Sequence, residues 1–149
     1  MKNKIVLIAG PTASGKSSLA NKLAKKIDGE IVNADSMQIY KDLEILTARP
    51  KPEKNDPNHH LYGFVNGEEL WSVGKWINEA KKVTEKILRK SSIPIIVGGT
   101  GLYFKAVTDG LSPIPDINQE IRDNLNAELN SKGLESLYNE LKFKDIKAY

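Results

Sequence analysis
An octapeptide close to the amino terminus, Gly10-Pro11-Thr12-Ala13-Ser14-Gly15-Lys16-Ser17, follows the pattern G-x-x-x-x-G-K-[ST]. A chance match to its four fixed positions arises on the order of 10⁻⁵ times per position. Its surroundings fit the mechanism as well. The run from Lys4 to Ala9 is apolar and β-branched, and predicts a buried parallel strand. Leu19, Ala20, Leu23, Ala24 and Ile27 then recur at helical spacing, with Lys22, Lys25 and Lys26 on the other face. A glycine-rich turn between strand and helix lets backbone N–H groups close around phosphate oxygens. Lys16 adds a point charge and Ser17 a hydroxyl that can ligate Mg²⁺, while the helix aims the positive end of its dipole at the same anion. ATP, GTP and diphosphate esters all satisfy such a loop.

The remaining segments alternate in the same way. Asp28-Gly29 reads as a turn and Glu30 to Asn33 as a second strand. Pro50, Pro52 and Pro57 make Arg49 to Asn58 a loop. Ser72 is a candidate N-cap for a helix that buries Val73, Trp76, Ile77, Ala80, Val83, Ile87 and Leu88. Ile93 to Val97 predicts a third buried strand, Gly98 to Gly101 a turn, and Leu102 to Thr108 a short helix. Strands alternating with helices imply a P-loop NTPase-like α/β fold: a parallel sheet with helices on both faces over residues 1–113. Pro113 and Pro115 mark a boundary. Beyond it, Ile117, Ile121, Leu125 and Leu129 at spacing four begin a helical appendage, residues 114–149, with Leu134 to Leu141 a second helix.

Composition narrows the function classes. With 149 residues, 40% hydrophobic and 28% charged, the chain is of ordinary globular make-up. It lacks any apolar run near the roughly 18 residues of a membrane span. Only five apolar residues separate Lys4 from Gly10, too few for a signal-peptide core, so a cytoplasmic location without a membrane partner is expected. The absence of cysteine excludes disulfides, thiolate metal sites and a cysteine nucleophile. Sixteen basic and eleven acidic residues precede position 101, against six and eight after it. That mild bias permits phosphate binding without demonstrating it.

Asp35 follows the second strand, where ligands collect outside the carboxyl ends of a parallel sheet. It can bind Mg²⁺ through water, accept a proton from a nucleophile, or simply cap the next turn. Gly98-Gly99-Thr100-Gly101 ends the third strand without the acidic residue that motor-type and switch-type NTPases need there. Its glycines suit close approach by a ligand, or a plain turn, and Thr100 offers a hydroxyl. His59-His60 sits in a Pro/Asn-rich loop and lacks a third ligand for zinc. Trp71, Trp76, Tyr103 and Phe104 read as core.

Taken in order, Gly10 to Ser17, Asp35-Ser-Met-Gln-Ile-Tyr-Lys41, Thr47-Ala-Arg-Pro50, His59-His-Leu61 and Pro94-Ile-Ile-Val-Gly-Gly-Thr-Gly-Leu-Tyr-Phe104 resemble the N-terminal half of tRNA dimethylallyltransferases. Gly110-Leu-Ser-Pro113 continues the likeness, which runs to at least Arg122. The resemblance implies transfer of a dimethylallyl group from dimethylallyl diphosphate to the exocyclic amine of an adenosine beside a tRNA anticodon. The P-loop, Gly10, Pro11, Thr12, Ala13, Ser14, Gly15, Lys16 and Ser17, then holds the donor diphosphate, although such loops are also described as ATP sites. Mg²⁺ sits at Ser17, and Asp35 matches the family's general base. Asp35, Ser36, Met37 and Gln38 match the segment contacting the flipped adenosine, and Thr100 and Arg122 match positions contacting tRNA.

Members of that family continue through the rest of a helical tRNA-binding insertion and back into the core. Residues 1–149 are therefore expected to bind a diphosphate ligand weakly and to transfer a prenyl group inefficiently alone, with a separate C-terminal-half chain as one implied partner. Two other readings stay open on the residues. One is a small-molecule P-loop kinase, against which stands the scarcity of arginine, only Arg49, Arg89 and Arg122. The other is a remnant that binds phosphate ligands or a partner chain without turnover.

Overall fold
The structure is a computed structural model that describes residues 4–112, 115 and 117–149. Pro113, the first of the two prolines expected to mark the boundary and the last residue of Gly110–Pro113, lies outside the described residues. The elements run β1 (Val6–Ala9), α1 (Lys16–Ile27), β2 (Gly29–Asn33), β3 (His59–His60), α2 (Val73–Arg89), β4 (Ile93–Gly98), α3 (Gly101–Thr108), α4 (Gln119–Lys132) and α5 (Leu134–Lys144).

The four strands form one parallel sheet in the order β1-β4-β2-β3. Side chains alternate along a strand, so each strand feeds two cores. Ile31, Ile95 and Val97 face one side and pack on Ala20 and Ala24 of α1. Val32 and Ile96 face the other and pack with Trp76, Ala80 and Ile87 of α2 and Tyr103 of α3. Helices therefore cover both faces, as a parallel sheet requires. Trp76 is fully buried, stacks on Tyr103 with ring centroids 4.1 Å apart, and donates its indole N–H to the Asn33 carbonyl at 3.0 Å. Ser72 does cap α2, accepting from the Lys75 N–H at 3.2 Å.

Two expectations need correction. His59-His60 is not loop but a two-residue strand, paired with Ile31 and Val32 of β2. The apolar run at the amino terminus forms β1, yet Ile5 and Leu7 remain 43% and 38% exposed. Among the described residues β1 is an edge strand, paired on one side only by β4. Among the described residues, no helix is long and apolar enough to cross a membrane.

The chain divides into two compact units, Met1–Leu111 and Ser112–Tyr149. The second holds α4 and α5. Asn118 caps α4 by accepting from the Glu120 N–H at 3.1 Å, and Ser136 of α5 donates to Glu128 of α4 at 3.0 Å. Ile121, Leu125 and Leu129 lie on α4 at the expected spacing and are exposed, and Ile117 precedes the helix.

Candidate phosphate-binding active site
All four strands point their carboxyl ends at the same rim, and the loops that follow them build the site. The P-loop leaves β1 at Gly10, the Asp35 turn leaves β2, Leu61–Gly63 leaves β3, and Gly98–Thr100 closes β4. A cavity of about 340 Å³, within the size range of small-ligand sites, is lined by Thr12 to Ser18, Asp35, Gln38, Thr47, Ala48, Tyr62, Val97 and Gly98.

The P-loop has the features an anion needs. Gly15 is the N-cap of α1 and offers no side-chain acceptor. The N–H groups of the first helical turn, which have no intrahelical partner, therefore remain for a ligand. Ala13 takes a left-handed φ of 61°, a conformation that side chains seldom adopt outside functional turns. Lys16 Nζ donates to the Pro11 carbonyl at 2.5 Å, which keeps the ammonium over the loop.

Asp35 both caps and lines. Its Oδ1 accepts from the backbone N–H of Met37 at 2.9 Å and of Gln38 at 3.4 Å, which fixes the turn. The same residue borders the cavity that the P-loop lines. Behind it lies Asn33, completely buried. The Asn33 side chain accepts from the Asp35 N–H and donates to the carbonyls of Asp35 and Leu61, each at 3.0 Å. One amide thus ties the loop after β2 to the loop after β3.

The remaining expected residues are distributed as follows. Gln38 lines the cavity and donates to the Thr47 carbonyl at 2.9 Å. Met37 is 49% exposed beside it. Thr100 precedes α3, and its hydroxyl accepts from the Ser36 N–H at 2.9 Å. Gly98 allows this approach, because a Cβ there would stand 2.1 Å from the Ala34 carbonyl oxygen. Arg122 belongs to the second unit, on α4. Among the described residues, no cluster of three or more His, Asp or Glu could hold a metal ion.

Sequence reasoning missed Tyr62, Thr47 and Ala48 as cavity residues. Thr47 and Ala48 belong to the Thr47-Ala-Arg-Pro50 motif, so a signal for them is present in the sequence. Tyr62 has no signal of its own, because the two-residue β3 that delivers it is too short to show an alternation. Its phenol is pushed up from the ordinary value by burial and by the negative charge of Asp35.

Comparison with known proteins agrees with this geometry. Residues 38–149 match the family described as IPP transferase, and residues 3–66 match the one described as isopentenyl transferase. The tRNA dimethylallyltransferase of Pelagibacter ubique (strain HTCC1062) is 52% identical over 141 residues, 94% of this chain and 45% of that protein. That of Bradyrhizobium sp. (strain BTAi1) is 48% identical over 147 residues, 98% of this chain and 48% of that protein. The chain spans about half the length of the curated relatives it matches. Among solved structures, a eukaryotic dimethylallyltransferase acting on tRNA superposes with a TM-score of 0.83 at 32% identity, covering 99% of this chain and 37% of that one. The tRNA isopentenylpyrophosphate transferase of Bacillus halodurans superposes with a TM-score of 0.73 at 36% identity, covering 99% of this chain and 49% of that one.

Proposed function
The chain belongs to the IPP transferase family, and from that premise we propose that it carries the donor-binding and proton-accepting part of a tRNA dimethylallyltransferase. The donor is dimethylallyl diphosphate, and the acceptor is the exocyclic amine of an adenosine next to the tRNA anticodon. The observation that carries this reading is the shared cavity, in which the P-loop and Asp35 line one space.

The chemistry assigns each group a task. The allylic C–O bond breaks with its electron pair leaving on diphosphate, the amine nitrogen bonds to the allylic carbon, and Asp35 takes the amine proton. Lys16 and the loop amides stabilise the charge that grows on the departing diphosphate. Ser17 is the protein oxygen that would hold Mg²⁺, with the other ligands coming from diphosphate and water, and the ion would add to that neutralisation. A neutral adenine amine is a weak nucleophile, so orientation contributes more than basicity. The adenosine has to leave its stack to reach the cavity. In this reading Asp35, Ser36, Met37 and Gln38 contact the extruded base, and Thr100 and Arg122 contact the tRNA. A cytoplasmic location accompanies such a substrate. The segment corresponding to the relatives' C-terminal half, as a separate chain or otherwise, supplies the rest of the tRNA grip.

Incubation with labelled dimethylallyl diphosphate and unmodified tRNA tests the proposal, using residues 1–149 alone and mixed with a polypeptide covering the relatives' C-terminal half. Label in tRNA that depends on Lys16 and Asp35 supports it. Phosphate transfer from ATP to a small acceptor, without prenylation, replaces it with the kinase reading.

A further inference from the structure
We propose that the aromatic ring of Tyr62 is the wall against which the branched alkyl group of the prenyl donor packs, and that it sets the preference of the site for a dimethylallyl ester over a shorter diphosphate ester. This rests on the reading of the P-loop cavity as a prenyl diphosphate site.

Once the P-loop takes the diphosphate, the carbon skeleton has to occupy the rest of the same cavity. Beyond the loop, that space is bordered by Asp35, Gln38, Thr47, Ala48, Tyr62, Val97 and Gly98. Tyr62 is the only aromatic residue among them, and a half-buried ring offers a large apolar face at little entropic cost.

The backbone holds Tyr62 on both sides. Leu61 sits at a left-handed φ of 61°, which a branched side chain adopts only when its surroundings impose it. Gly63 follows at a φ of 54°. The Leu61 carbonyl accepts from buried Asn33 at 3.0 Å, and the Gly63 N–H donates to the Gln38 carbonyl at 2.9 Å. A Cβ on Gly63 would stand 2.2 Å from the Arg49 guanidinium, so the chain is held closely there too. The His59 imidazole lies 5.5 Å from the Tyr62 ring, centroid to centroid. Burial and the Asp35 charge favour the neutral phenol, which suits contact with an alkyl group. A nucleobase is the other aromatic-seeking occupant. The ring shares its cavity with the phosphate loop, whereas the segment matched to the base is Asp35 to Gln38, and this favours the alkyl group.

The test is equilibrium binding to the 149-residue chain of dimethylallyl diphosphate and of methyl diphosphate, which has the same charge and lacks the branched chain. The expected result is a preference for the dimethylallyl ester that falls about tenfold in Tyr62→Ala, the scale for losing one side of a buried alkyl contact. Tyr62→Phe should retain the preference and Tyr62→Leu should retain part of it. These variants keep the test valid if Tyr62→Ala does not fold, as judged by its thermal transition. An unchanged preference in Tyr62→Ala and Tyr62→Leu overturns the inference while leaving the proposed function standing. Loss of adenosine or anticodon stem-loop binding, with the ester preference intact, also overturns it and assigns the ring to the base. Failure of the unsubstituted chain to bind either ester, with Lys16→Ala no different, overturns the proposed function and this inference together.

Discussion

Asn33 and Asp35 are joined by a reciprocal pair of hydrogen bonds: the Asp35 N–H donates to Asn33 Oδ1, and Asn33 Nδ2 donates back to the Asp35 carbonyl, both at 3.0 Å. The same Nδ2 reaches the Leu61 carbonyl. The candidate base and the candidate prenyl wall are thus set by one buried side chain.

Replacing that amide should therefore affect folding and turnover together. Asn33→Ala leaves three backbone groups without their side-chain partner and should cost about 2–4 kcal/mol, read as a lower urea midpoint. Asn33→Asp should be no milder, because it turns a buried donor toward two carbonyls into an acceptor and buries a charge. Asn33→Asp with an unchanged midpoint would refute the bonding pattern.

Asp35→Asn separates the two roles of Asp35. Its amide oxygen can still accept from Met37 and Gln38, so the thermal transition should move little. Proton acceptance is lost, so kcat in an active assembly should fall by about 100-fold or more, with KM nearly unchanged. Near-normal turnover would remove Asp35 from the base role.

Gly98→Ala places a methyl group 2.1 Å from the Ala34 carbonyl oxygen, which is backbone and cannot swing aside. The ends of β2 and β4 would have to part, at a cost of about 3 kcal/mol. A chain that tolerates Gly98→Ala without loss of stability would contradict the close approach.

Acid should destabilise the chain in two steps. Burial holds His59 below its ordinary 6.5, against the opposing charge of Asp56, and among the described residues its buried Nδ1 has no hydrogen-bond partner. The unfolded chain therefore takes up a proton below about pH 6.5 that the folded chain resists, so stability falls as pH drops through that value. Glu30 is 7% exposed, and burial alone would raise its carboxyl. Hydrogen bonds from His60 at 2.6 Å and Lys90 at 3.3 Å outweigh that and hold it below 4.5. Its contribution is present above that value and is lost as pH falls through the lowered one. Urea midpoints from pH 8 to pH 4 should show both declines, and His59→Gln should flatten the first.

What was legible in the sequence was what is local. The β1–loop–α1 unit announced itself through a motif flanked by the right periodicities, and α2 through Ser72 and its apolar stripe. β3 was not legible, because two histidines in a segment rich in Pro and Asn have no alternation of their own. Only pairing with Ile31 and Val32 makes them a strand, and with it came Tyr62. The apolar run of β1 carried no sign that Ile5 and Leu7 would stay exposed, since a run of apolar residues does not record which face is covered. For Asp35 the sequence leaves capping and proton acceptance open as alternatives; in the fold one carboxylate caps the turn and also lines the cavity. The spacing of α4 was readable, but any relation of Arg122 to the cavity depends on tertiary structure.

Whether the P-loop cavity takes a prenyl diphosphate is decided by equilibrium binding of labelled dimethylallyl diphosphate to residues 1–149, competed by unlabelled ester or by ATP. The expected result is weak saturable binding that Lys16→Ala reduces by at least about tenfold, displaced more readily by the ester than by ATP. Binding of ATP in clear preference to the ester, or ester binding indifferent to Lys16→Ala, would contradict it.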